Sequence, residues 1–190
     1  MKAWIKDIIE EKTSLLNKLE HETYIENVEH VGNLLIETIK NGNKIILAGN
    51  GGSAADAQHF AGEIVGRFTM ERNSLPALSL CVDPSVMTCI ANDYGYDAVF
   101  ARQIEGLGQK GDVFIGISTS GNSQNIVEAI EKCKKSGIVT VGLLGKDGGL
   151  IGNLADFSLV VPSESTPRIQ EIHTFTVHIL CEMIEKGIFE

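Results

Sequence analysis

Five short apolar runs rich in β-formers alternate with stretches of helical periodicity, and this alternation limits the fold more than any other feature. The runs are KIILAG (44–49), PALSLCV (76–82), DVFIGIS (112–118), IVTVGLL (138–144) and FSLVV (157–161). They are nearly continuous in apolar residues, the pattern of strands buried on both faces. The stretches between them are of crossover length, so successive strands run parallel with helices packed against them. The expected fold class is therefore α/β, a doubly wound five-stranded parallel sheet. Two amphipathic segments precede it, one with Ile5, Ile8, Ile9, Leu15, Leu16 and Leu19 at helical spacing and one with Val28, Val31, Leu35 and Ile39. A long helix over 168–187 closes the chain, its apolar stripe running through Ile172, Phe175, Ile179 and Met183. A length of 190 residues gives one domain with a full core and leaves no room for a second catalytic domain.

Charge and cysteine usage exclude several function classes. A net charge of −9 argues against a nucleic-acid partner, which needs concentrated Lys and Arg. The one basic cluster, KCKKSG (132–137), reads as a cationic helix C-terminus before a glycine stop. The first twenty residues interrupt their apolar positions with charge every few residues, so they form neither a signal-peptide core nor a membrane span. The expectation is a cytoplasmic protein with no membrane partner. Cys81, Cys89, Cys133 and Cys181 are scattered without a C-x-x-C pair and read as reduced, mostly buried thiols, with no disulfide and no cysteine-ligated metal.

In a sheet of this kind ligands bind beyond the carboxyl ends of the strands. Two loops there are unusual: GNGGS (49–53) after the first run and STSGNS (118–123) after the third. Both open helices, where glycine permits close backbone approach and the free N–H groups and dipole form an anion site. Ser118, Thr119, Ser120 and Ser123 add hydroxyls around one turn, enough to hold a phosphate by neutral donors. Read alone, Ser53 and Ser123 are also ordinary helix N-caps. A rival pattern exists as well: Gly49, Gly51 and Ala54 match G-x-G-x-x-[GA], with Asp83 standing where a dinucleotide's ribose would be bound. That pattern leaves the hydroxyl-rich loop unexplained, and no Walker Lys-Ser/Thr is present.

The helix after the first loop carries His59 and Glu63 four residues apart, with Arg67 next on the stripe, so the first two can converge on one ion or one substrate. An H-x-x-x-E pair elsewhere is usually structural. Here it stands one to three turns above a phosphate-type loop, beside whatever the loop holds.

Taken together, GNGGSAADAQHFAGE (49–63), ANDYG (91–95), GISTSGNS (116–123), GKDGG (145–149) and RIQEIH (168–173) resemble the bacterial phosphoheptose isomerase family of sugar isomerase (SIS) domain proteins, over nearly the whole chain. The resemblance implies a single SIS domain over 1–190, with residues 1–41 packing on it and in an oligomer interface. It implies conversion of sedoheptulose 7-phosphate to D-glycero-D-manno-heptose 7-phosphate, the first step towards nucleotide-activated heptose. Substrate binding falls to Asn50, Gly51, Gly52, Ser53, Asn92 and Asp93, and the phosphate to Ser118, Thr119, Ser120 and Ser123. Zinc, one ion per subunit, is assigned His59, Glu63, Gln170 and His178, with Gln170 and Glu63 also meeting substrate. Glu63 and His178 become the acid/base pair, and the assembly a homotetramer. Many members have Asp immediately before RIQE, whereas this chain has Pro167. An alternative in another class is an SIS-domain regulatory protein that binds the replication initiator; a dinucleotide-dependent enzyme is the third reading.

Two physical arguments qualify that assignment. A carboxylate acting as base is best served by a raised pKa, whereas a divalent cation favours its charged form, so Glu63 is not expected to be both tight ligand and efficient base. Gln170 and His178 stand eight residues apart, roughly 12 Å of rise and about 80° of rotation on a regular helix. The expectation is that one of them reaches a neighbouring subunit's site. His173, three residues from Gln170 on a shared face, is the fallback ligand.

Overall fold

The structure is a computed structural model describing residues 1–190, the side chain of Glu22 excepted. Two helices, α1 (Lys2–Leu19) and α2 (Glu22–Lys40), precede β1 (Ile45–Gly49), α3 (Gly52–Val65) and a short β2 (Ala77–Ser79). Then come α4 (Pro84–Tyr94), a 3-10 turn (Tyr96–Ala98), α5 (Val99–Leu107), β3 (Val113–Ser118) and α6 (Gln124–Ser136). The chain ends with β4 (Val139–Gly145), α7 (Gly149–Leu154), β5 (Phe157–Val161) and α8 (Thr166–Phe189).

The five strands lie in the order β2-β1-β3-β4-β5, and every pair is parallel. Successive residues of each strand serve opposite faces. Ile45, Leu47, Ile115, Ile117 and Val141 pack with Leu35, Phe60, Ile64, Val177 and Ile184 of α2, α3 and α8. Ile46, Ala48 and Phe114 pack with Phe100, Ile104, Ile126 and Ile130 of α5 and α6. Two apolar layers on one strand explain why the runs read as continuous rather than alternating.

Local signals set the helix ends. Asp83 caps α4, its Oδ1 accepting from the Ser85 and Val86 amides at 2.9 and 3.0 Å, and Pro84 follows at the first helical position. α6 stops at Gly137, left-handed at φ 70°, with Lys134 and Lys135 in its last turn. Pro167, the departure from the family pattern, occupies the first turn of α8, where a missing N–H costs nothing. Two elements differ from expectation. β2 is confined to Ala77–Ser79 because the chain turns at once into α4, leaving Val82 exposed. GKDGG, with Gly148 at φ 88° and Gly149 at φ 54°, folds into the start of the short α7. No helix is long and apolar enough to cross a membrane.

Candidate active site

β2 lies on one side of β1 and β3 on the other, so the loops leaving β1 and β3 diverge and open a crevice at the carboxyl edge. Gly51, at φ 55°, forms the N-cap of α3, and no side chain bonds the helix's free amides. Ser53 therefore lies inside the first turn, 4% exposed, rather than at the cap. Asn50 exchanges two amide hydrogen bonds with Asn125 at the start of α6, both 2.9 Å, and its Oδ1 also accepts from the Tyr96 hydroxyl at 3.0 Å. The two loops and the turn after α4 are thus fastened together.

In the second loop Ser118 Oγ lies 2.9 Å from Ser123 Oγ and 3.4 Å from Ser120 Oγ. Ser123 holds the N-cap position of α6 yet makes no side-chain capping bond; its hydroxyl faces Ser118 instead. Gly121, at φ +67°, sits directly on the Gly148 carbonyl, and the Thr119 carbonyl lies close against Gly145. The result is three converging hydroxyls beside helix amides that no side chain has claimed.

α3 and α8 run alongside each other in constant register. The Gln170 amide lies over Gly52, Thr174 Oγ1 donates to Asp56 Oδ1 at 3.0 Å, and His178 Nε2 lies 2.9 Å from His59 Nε2. Glu63, one turn beyond His59, brings Oε1 to 3.7 Å from its Nδ1. The other Asp56 carboxylate oxygen is buried without a partner, and burial pushes the Asp56 pKa up, partly offset by the Thr174 bond and by His59. Asn92 and Asp93 are exposed at the end of α4, where Asn92 Nδ2 donates to Asp93 Oδ1 at 2.8 Å.

His59, Glu63 and His178 are therefore brought together, whereas Gln170 stands two turns away beside Gly52. Within the chain the two α8 side chains meet α3 at separate points, Gln170 at Gly52 and His178 at His59, as their eight-residue spacing requires. Tetrahedral zinc with bonds of about 2 Å holds its ligand atoms roughly 3.3 Å apart. The two imidazole nitrogens are close to that separation, and Glu63 approaches His59 from its other nitrogen. Among the described residues, no three His, Cys, Asp or Glu side chains are gathered to hold a metal.

Other sequence candidates occupy different places. His173 is fully buried, with Nε2 2.9 Å from the Leu144 carbonyl; burial lowers its pKa to about 4, which makes it a neutral core residue and not a ligand. Asp83 uses Oδ1 to cap α4, a structural role that accounts for its place after the second run without a ribose. Tyr96 and Asn125 were not singled out from the sequence. Asn125 stands two residues past Ser123 and Tyr96 two past Tyr94, so proximity to the loops was the available signal; nothing in the sequence pairs Asp56 with Thr174.

With this geometry in hand, similarity to known proteins is informative. Residues 8–145 match the SIS domain family. The chain is 54% identical over 190 residues to the phosphoheptose isomerase of Sulfurimonas denitrificans, covering 100% of this chain and 97% of that one. It is 53% identical over 181 residues to that of Helicobacter pylori strain P12, covering 95% and 93%. The solved phosphoheptose isomerase of Neisseria gonorrhoeae superposes with a TM-score of 0.91 at 38% identity, over 97% of this chain and 98% of that one. These relatives are isomerases acting on a phosphorylated sugar, and the chain belongs to their family, the phosphoheptose isomerases of the SIS domain fold.

Proposed function

We propose that the protein interconverts sedoheptulose 7-phosphate and D-glycero-D-manno-heptose 7-phosphate. The observation that carries this reading is the Asn50–Asn125 amide pair, which joins a hydroxyl-lined anion cradle to the loop from which the His59 and Glu63 helix rises. Ser118, Ser120 and Ser123, with the first amides of α6, receive the phosphate. The sugar then extends over Gly51, Gly52 and Ser53 towards α3, within reach of Gln170, while Asn92 and Asp93 contact its hydroxyls. Gln170 serves better as an amide donor to a sugar hydroxyl beside Gly52 than as a metal ligand two turns from the imidazoles.

Ketose-to-aldose conversion removes a proton from carbon 1, passes through an enediol and returns a proton to carbon 2. Glu63 takes the carbon-bound proton and gives it back. His178 protonates the oxygen on carbon 2 as the enediol forms and receives the proton released from the oxygen on carbon 1 as the aldehyde appears. His59, paired with His178, sets which imidazole nitrogen carries the proton. His59, His178 and Glu63 are the residues that would hold a zinc ion, which would supply polarisation of the substrate oxygens. Glu63 lying on the far side of His59 favours a base free of the metal during turnover. The regulatory alternative has no support from these relatives.

The test is an isomerase assay with sedoheptulose 7-phosphate, run with chelator and with added zinc. Conversion that chelator abolishes and zinc restores is expected. An unchanged sugar under every condition refutes the substrate, and full activity in chelator refutes the metal.

A further inference from the structure

The end of α3 that carries Glu63 is completed by an ion pair buried away from the two substrate loops. The side chains of Arg72 and Glu185 are each 1% exposed, with Arg72 Nε 2.8 Å from Glu185 Oε1. Arg72 also donates to the carbonyls of Glu63 at 2.8 Å, Ile64 at 3.0 Å and Asn73 at 3.0 Å. The first two belong to the last turn of α3, where intrahelical donors have run out. A left-handed glycine commonly does this work, but Gly66 at this C-cap has φ −76°.

The Glu185 carboxylate gathers more than the guanidinium. It accepts from the amides of Phe68, Thr69 and Met70 and from the Thr69 hydroxyl, each at 2.9 Å. Burial alone would raise its pKa, but these bonds outweigh burial and hold it at about 2. The segment so wrapped sets the Phe68 ring 5.2 Å from the His178 ring, centroid to centroid. Glu185 and His178 are two turns apart on one stripe of α8. One carboxylate therefore fixes both the turn that bears Glu63 and the ring that backs His178. Buried ion pairs add little stability over apolar packing of equal volume, so a geometric role accounts better for this one.

The geometry points to Glu185 and Arg72 as positioning residues for the isomerisation, holding Glu63 and His178 in register through the α3 terminus and the Phe68 ring. This rests on the roles proposed above for Glu63 and His178. The residues that meet the phosphate lie at the opposite end of α3, so a loosened pair changes the chemical step and leaves substrate capture alone.

Glu185→Gln, Arg72→Lys and Phe68→Leu test it in the full-length enzyme, with folding checked by circular dichroism. The expected result is a fall in kcat of about tenfold to a hundredfold, the scale of ångström-level misplacement, with KM and inhibition by inorganic phosphate unchanged. Arg72→Lys keeps the charge but cannot cap two carbonyls while bonding the carboxylate. Phe68→Leu leaves the ion pair intact and decides the matter if the other two fail to fold. Folded variants with wild-type kcat, or with loss confined to KM and phosphate binding, overturn the inference. Glu63→Gln, assayed in parallel, separates the two failures. If it is inactive while the three variants turn over normally, positioning alone is wrong; if it is fully active, the acid/base reading falls and the inference with it.

Discussion

Each proposed role of a single side chain makes its own demand. Glu63→Gln is nearly isosteric and leaves the α3 backbone contacts of Arg72 in place, so it is expected to fold normally and lose at least about a hundredfold in kcat. Ser120→Ala removes one hydroxyl from the cradle beside Ser118. A hydrogen bond to a charged group contributes roughly 1.5–3 kcal/mol, so KM should rise while kcat stays; an unchanged KM would take the phosphate away from this loop. The serines were legible in the sequence because each stands at a strand end in a hydroxyl-rich run. Tyr96 on Asn50 and Glu185 on Arg72 were not, since such partners are separated by 46 and 113 residues and leave no periodic trace.

At the scale of elements, the parallel sheet and its crossovers could be read from the apolar runs because burial on both faces leaves so little room for polar residues. The alongside packing of α3 and α8 could not, since it depends on the register of two helices over a hundred residues apart. That packing carries two acid-sensitive groups, His173 and Glu185, both on α8. The His173 pKa is lowered from 6.5 to about 4, so its contribution is complete above pH 6.5 and is lost as pH falls towards 4. The Glu185 pKa is lowered from 4.5 to about 2, so its contribution is complete above pH 4.5 and is lost as pH falls towards 2. For His173 this corresponds to a few kcal/mol, on the order of 3. Thermal melts should show stability falling steadily below pH 6.5, with the upper part of that fall absent in His173→Gln. A flat profile between pH 6.5 and 4.5 in the wild type would contradict a neutral buried imidazole.

At the scale of the whole molecule, an apolar surface is left uncovered where the N-terminal helices meet α8. A cavity of about 470 Å³ between α1, α2 and α8 is lined by Leu16, Tyr24, Ile25, Val28, Phe175 and Ile179. Trp4, Ile5 and Ile9 remain exposed on α1. We propose that symmetric closure over these faces forms the homotetramer that the resemblance implies, with residues 1–41 in the interface. Light scattering should give four chains for the wild type and fewer for Phe175→Glu; a monomeric wild type refutes the assembly. Because His59, Glu63 and His178 meet within one chain, mixed Glu63→Gln and His178→Gln subunits are expected to remain inactive after exchange. Restored activity would mean that the site is completed across subunits after all. The central claim is that Glu63 moves a carbon-bound proton through an enediol, and isotope transfer tests it most directly. Turnover of sedoheptulose 7-phosphate in deuterium oxide should place deuterium at carbon 2 of the product with the wild type, with label and turnover lost together in Glu63→Gln. Product free of deuterium after many turnovers, or undiminished labelling by Glu63→Gln, would contradict it.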